Sequence, residues 1–178
     1  MLLERLRLPF VVAAPEVDET PLPAESPRDT ALRLAEQKAR AVGAELGEAV
    51  VIGSDQVALL DGIVIGKPGT HEAALSQLRA MRGRSVVFHT ALCVFETGSG
   101  RCQIDEVPTT VLCRDFSEAE AARYLELDRP YDCAGSAKIE ALGIALVQEV
   151  VSRDPTALIG LPLIALVTML RSAGVAVL

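Results

Sequence analysis

The 178-residue sequence predicts an α/β domain: a mixed, twisted sheet flanked by helices, with a cleft across it. Three observations carry this expectation. Segments with helical spacing alternate along the chain with short β-branched runs. Two pairs of those runs are joined by tight-turn signatures, Asp61-Gly62 and Thr97-Gly98-Ser99-Gly100, which call for antiparallel hairpins. Half of the residues are apolar but only 3% are aromatic and none is Trp, so the core has to be built from Leu, Val, Ile and Ala. A chain of this length buries roughly 70% of its unfolded surface, enough for a single domain spanning residues 1–178, and no repeat or low-complexity linker divides it.

Taken in order, Met1–Arg7 puts Leu2, Leu3 and Leu6 on one helical face with no capping residue ahead of them. Phe10–Ala14 reads as a short apolar strand. Glu16-Val17-Asp18-Glu19-Thr20 is a loop with three carboxylates, ended by Pro21 and Pro23. Ser26 and Pro27 are an N-cap and a first helical position, and Leu32, Ala35, Ala39 and Val42 supply a stripe up to Gly43. Val50, Val51 and Ile52 predict a strand buried on both faces, with Gly53 and Ser54 relieving the crowding before Asp55. The Asp61-Gly62 turn then folds the chain back.

Thr70 caps a helix through Met81 that ends near Gly83. Ser85–Glu96 and Gln103–Cys113 form the second hairpin, and Ser117-Glu118-Ala119-Glu120 is a capping box opening a helix to about Leu127. Asp132–Gly143 is a polar, Gly-punctuated loop. Ile144–Val151 is a strand, and Leu161-Pro162 opens an almost wholly apolar last helix, expected to be buried on most faces and stopped by Gly174.

Charge and cysteines narrow the partners. A net charge of −7 argues against a nucleic-acid polymer or an anionic membrane surface, while leaving room for a small anion held by a local nest of cations and a bridging divalent metal. Cys93, Cys102, Cys113 and Cys133 show no C-x-x-C pair, which points to buried thiols in a reducing compartment. The most apolar tract, Ala157–Leu170, is broken by Gly160 and Pro162 and is short of the ~20 residues a membrane span requires; with no signal peptide, a soluble cytoplasmic protein is expected.

The stretch Val50–Pro68 carries the candidate chemistry. A lone acid, Asp55, ends its apolar run and a lone base, Lys67, follows the hairpin, so that acid and base would share one cleft. The competing reading makes Asp55 a turn cap and Lys67 a solvated lysine. Lys38 on the preceding helix has the bland reading of an exposed helix lysine. His71 reads as surface-exposed and His89 as a strand histidine, neither with a second ligand placed beside it.

Together, AAPEVDET (Ala13–Thr20), LAEQKA (Leu34–Ala39), IGSDQV (Ile52–Val57), GKP (Gly66–Pro68), the loop around Cys133–Gly143 and GLPL (Gly160–Leu163) resemble the Maf family of nucleoside triphosphate pyrophosphatases over nearly the whole chain. Asp55-Gln56-Val57 and Lys138-Ile139-Glu140 look most like the subgroup acting on 7-methyl-GTP. The resemblance implies a Maf/ITPase-like fold and hydrolysis between the α and β phosphates, giving a monophosphate and pyrophosphate with a divalent metal, Mg²⁺ or Mn²⁺. Such an enzyme would clear modified nucleotides. A homodimer is the assembly it suggests.

That chemistry needs an activated water, a metal on the polyphosphate and cations for the leaving group. The resemblance makes Asp55 the proton acceptor and Glu19 a metal ligand, with Lys38 and Lys67 on phosphates. 7-Methylguanine is cationic and offers N1–H and N2–H₂ donors, which Glu140 is suited to accept; Gln56 would add an amide contact. Family members open with a strand and a Ser-x-Ser-Pro-x-Arg-Arg loop before the helix that starts here at Met1, so a chain truncated at its N-terminus is expected. Two other readings stay open: a dTTP/UTP pyrophosphatase of the same family, and a non-catalytic nucleotide-binding regulator of septum formation.

Overall fold

Ser26 Oγ accepts from the Asp29 N–H at 3.1 Å and so starts α1 (Pro27–Gly43) at the expected residue. Thr70 Oγ1 does the same for α2 (His71–Met81), accepting from Ala73 N at 3.2 Å. Ser117 and Glu120 close a reciprocal capping box at the head of α3 (Glu118–Asp128). Each cap satisfies an N–H that the helix cannot, using a side chain three residues away or nearer, which is why these starts are readable locally. The computed structural model describes residues 2–178; the expected helix start at Met1 lies outside them. Leu3–Leu6 is a single 3₁₀ turn.

The strands are β1 (Val50–Leu60), β2 (Ile63–Ile65), β3 (Ser85–Glu96), β4 (Cys102–Cys113) and β5 (Val147–Ser152), in the sheet order β2-β1-β3-β4-β5. β1 and β2 pair antiparallel across Asp61-Gly62, both at positive φ (49° and 79°), the backbone that a two-residue hairpin requires. β4 and β5 are also antiparallel, Thr109 opposite Ser152. The last helix, α4 (Leu163–Ser172), completes an α/β architecture of five strands and four α-helices among the described residues.

Five expectations are corrected. Phe10–Ala14 is irregular, with Val11 94% exposed: among the described residues the sheet takes no strand from before Val50, so this run pairs with no ladder. β1 does not stop before Asp55 but runs straight through it, and Val50 at its start is exposed, not buried. β5 begins at Val147, because Leu142–Leu146 winds into a 3₁₀ segment. α4 buries one stripe, Leu163, Leu166, Met169 and Leu170, and leaves Ile164 and Thr168 in solvent. The thiols divide too: Cys93 and Cys113 are buried, Cys102 and Cys133 only partly.

The chain divides into two compact units. The first comprises the chain through Gln56, His89–Val107 and Asp154–Leu178. It is layered. Leu92 and Val94 of β3 pack with the α4 stripe and with Leu2, Leu3 and Leu6, so the apolar face of the N-terminal turn is used as its spacing predicts. On the other side of the strands lies α1, with Ala31, Leu34, Ala35 and Ala39 buried. The second unit, Val57–Phe88 and Pro108–Arg153, packs α2 against α3 and against the 3₁₀ turn Ala134–Ser136, while α3 packs on Leu142–Leu146.

Candidate active site

Gly53 decides how closely α1 lies on β1. A Cβ there would stand 2.2 Å from the Ala35 carbonyl oxygen and 2.8 Å from Ala39 N, so only glycine admits this approach. Strand alternation then puts Asp55, two residues on, against the same helix. Lys38 is on the turn of α1 that faces it, and its Nζ donates to Asp55 Oδ1 at 2.7 Å. The same ammonium lies 2.6 Å from Glu19 Oε1. Acidic loop, helix and strand, separated in sequence, thus deliver Glu19, Lys38 and Asp55 to one point. Lys38 is not the exposed helix lysine of the bland reading: its side chain is 22% exposed, and that of Asp55 12%.

Burial is the largest influence on Lys38 and works to lower its pKa, but hydrogen bonds to Asp55 and then Glu19 outweigh it, leaving the ammonium held above its usual range. The loop bearing Glu19 is fastened as well. Arg33 grips Glu25 with two prongs, 2.6 and 2.8 Å, and donates to the Thr20 carbonyl at 3.1 Å. Arg33, with the Leu22 N–H second, holds the Glu25 carboxyl well below its ordinary range, at about 2. Neither Glu25 nor Arg33 carries a sequence motif: eight residues apart across the start of α1, they are paired only by the fold.

The opposite face of β1 is anchored differently. Ser54 Oγ lies 2.7 Å from the Ala91 carbonyl oxygen and 2.8 Å from that of Gly160. Gln56 Nε2 donates to Thr90 Oγ1 at 2.8 Å and to the Ala157 and Leu158 carbonyls at 3.1 and 3.3 Å. Gln56 therefore spends its amide nitrogen on the turn preceding GLPL, facing away from Asp55. Asp154, buried, holds the same region: it accepts from Thr156 N and, as a cap for α4, from Ile164 N at 2.7 Å.

Across β3 and β4, His89 Nδ1 sits 2.8 Å from Glu106 Oε1, and Arg28 Nε donates to Glu106 Oε2 at 3.4 Å. His89 is a strand histidine, as expected, with a carboxylate partner that spacing did not reveal. Lys67 and Glu140 belong to the second unit. Lys67 is exposed between β2 and α2. Glu140 is exposed in a turn closed by Ala141 N donating to the Lys138 carbonyl at 3.1 Å, and Ile139 beside it lines a small apolar cavity with Leu78, Phe88 and Leu146. A Cβ on Gly143 would meet Lys138 O at 2.5 Å, so glycine is what lets this loop close. His71, exposed, meets the Tyr131 hydroxyl at 3.0 Å.

Glu19 and Asp55 offer hard oxygen donors converging on the position of one cation, at present the Lys38 ammonium. Among the described residues no group of three or more His, Cys, Asp and Glu converges for a metal. The donor set fits a cation that takes one or two protein carboxylates and completes its shell with phosphate oxygens and water, the habit of Mg²⁺.

The site thus belongs to an α/β fold in which a carboxylate–ammonium–carboxylate cluster is assembled from the loop before α1, α1 itself and the middle of β1. The Maf-like protein family model matches residues 1–173, and the chain belongs to the Maf family. Similar proteins include three named 7-methyl-GTP pyrophosphatase. That of Burkholderia thailandensis is 60% identical over 97% of this chain and 82% of its own length. Those of Cupriavidus metallidurans (59%, over 97% and 87%) and Ralstonia nicotianae (60%, over 96% and 88%) are equally similar. No helix among the described residues is long and apolar enough to cross a membrane.

Proposed function

We propose that this protein is a nucleoside triphosphate pyrophosphatase that hydrolyses the α–β phosphoanhydride of 7-methyl-GTP to 7-methyl-GMP and pyrophosphate. The observation that carries the chemistry is the Glu19–Lys38–Asp55 cluster; the substrate follows the name borne by relatives about 60% identical over nearly the whole chain.

Asp55, as a carboxylate, accepts a proton from the attacking water through Oδ1 or Oδ2. Lys38 holds that carboxylate in place until phosphate oxygens compete for its ammonium, and it then bears charge on the polyphosphate. Glu19, with Asp55 beside it, would hold Mg²⁺ or Mn²⁺, and the metal would neutralise phosphate charge and draw electron density from the scissile bond. Lys67 adds a second cation for the phosphates. Glu140 reads the base: its two oxygens accept from N1–H and N2–H₂, and its charge opposes that of the methylated ring. Gln56 adds an amide contact to the base, while its Nε2 is held by the Ala157 and Leu158 carbonyls. The same reading includes a homodimer, which sedimentation velocity tests.

Incubation with Mg²⁺ or Mn²⁺ and a panel of 7-methyl-GTP, GTP, dTTP and UTP, with products separated by ion exchange, tests the proposal. Pyrophosphate and 7-methyl-GMP are expected. Preferred cleavage of dTTP and UTP would move the protein to the pyrimidine branch, and binding without turnover would make it a nucleotide-binding regulator.

A further inference from the structure

Lys67 stands in Gly66-Lys67-Pro68-Gly69, the short connection from β2 into α2. An exposed lysine on a free connection explores many rotamers and backbone positions, and binding an anion then has to order both. Here both ends of the connection are tied down. The Gly66 carbonyl accepts from Gln77 Nε2 at 3.1 Å. Gly69 N donates to the Tyr131 carbonyl at 3.0 Å.

Gln77, on α2, has a second bond. Its Oε1 accepts from Ser136 Oγ at 2.5 Å. Ser136 is fully buried and has φ 55°, directly after Gly135 at φ 71°. A left-handed serine is unfavourable by itself and persists where its surroundings enforce it. Gly135 is packed over Ile65, the residue before Gly66, whose Cδ1 would lie 3.6 Å from a Cβ there. Glu140 follows Ser136 by four residues, on the loop that Gly143 closes. The two ends of one amide therefore hold the lysine's connection and the start of the carboxylate's loop.

We infer that Gln77 is a positioning residue: its side-chain amide fixes the Lys67 connection relative to the Asp132–Gly143 loop, so that the phosphate-binding lysine and the base-reading carboxylate are presented in one geometry. This rests on the roles given above to Lys67 and Glu140. Gln77 contacts neither phosphate nor base in this account. It acts through Lys67, and its loss removes nothing that an isolated Lys67 could supply.

The test is a double-mutant cycle on 7-methyl-GTP hydrolysis with Gln77→Glu and Lys67→Ala. Glutamate keeps an acceptor for Ser136 but cannot donate to Gly66. Loss of one such bond is expected to lower kcat/KM on the order of 3- to 10-fold, mainly through KM, in the otherwise wild-type protein. In the Lys67→Ala background the same change should cost less than about 2-fold, since the positioned group is gone. A merely structural role would instead give equal losses in both backgrounds and overturns the inference while leaving the role of Lys67 intact. If Lys67→Ala has no effect on turnover, the reading of Lys67 itself fails and the inference falls with it. Should Gln77→Glu not fold, Ser136→Ala removes the donor to Oε1 and must show the same coupling with Lys67; additivity there is equally fatal.

Discussion

Gly53 and Ala35 approach so closely that a single methyl group cannot be placed between strand and helix: its carbon would lie 2.2 Å from the Ala35 carbonyl oxygen. This approach brings Lys38, three residues beyond Ala35, within 2.7 Å of Asp55, two residues beyond Gly53. The missing side chain is therefore a condition of the site. Gly53→Ala is expected to force α1 away from β1. Overpacking of this kind typically costs ~1–3 kcal/mol, and each kcal/mol is worth about 2–4 °C in a protein of this size, so Tm should fall by roughly 2–12 °C. Turnover should fall with it. A thermal melt unchanged from wild type would show that the helix accommodates the methyl without shifting.

Asp55→Asn keeps the shape of the side chain and its contact with Lys38 but takes no proton. Loss of a general base usually costs ~10²–10⁴ in rate. Pyrophosphate release should drop by that factor while nucleotide affinity stays within several-fold. A variant keeping more than about half the wild-type rate places the base elsewhere.

Glu140→Gln should weaken use of 7-methyl-GTP far more than use of dTTP. The amide offers one acceptor oxygen and no charge, and a charge-assisted pair is worth about 1.5–3 kcal/mol, or on the order of 10- to 150-fold in kcat/KM. The side chain is exposed at a turn whose neighbour Ile139 is anchored in apolar surroundings, so the substitution leaves the loop's packing alone. Equal losses on both nucleotides would remove Glu140 from base recognition.

Glu25 sets an acid limit on stability. Its folded pKa of about 2 lies below the ordinary 4.5, so the protonated carboxyl is the less favoured form in the native state. The contribution of the Glu25–Arg33 grip is then complete above about pH 4.5 and is lost as the pH falls through about 2. Comparing urea midpoints of wild type and Glu25→Gln against pH checks this. The gap between them should be full at pH 7 and close across pH 4.5 to 2; a gap independent of pH would mean that the grip does not depend on ionisation.

What the sequence determined by itself is what neighbours in sequence can settle. Ser26, Thr70 and Ser117 start their helices because a cap bonds an N–H within three residues, and Asp61-Gly62 turns the chain because both residues accept positive φ. The residue types of the candidate site were legible on the same terms: a lone acid after an apolar run, a lysine in GKP, an acidic loop. Tertiary structure decided their partners. Lys38 passes for a solvated helix lysine until Gly53 lets α1 down onto β1, and the amide nitrogen of Gln56 finds carbonyls 101 and 102 residues away that no local pattern shows. Phe10–Ala14 has the composition of a strand but no ladder to join, and β1 extends through Asp55 where composition suggested an end. The clip from Gly66 through Gln77 to Ser136 spans 11 and then 59 residues and leaves no motif, because a hydrogen bond between distant segments depends on how closely their backbones approach, and that is fixed only when the layers pack.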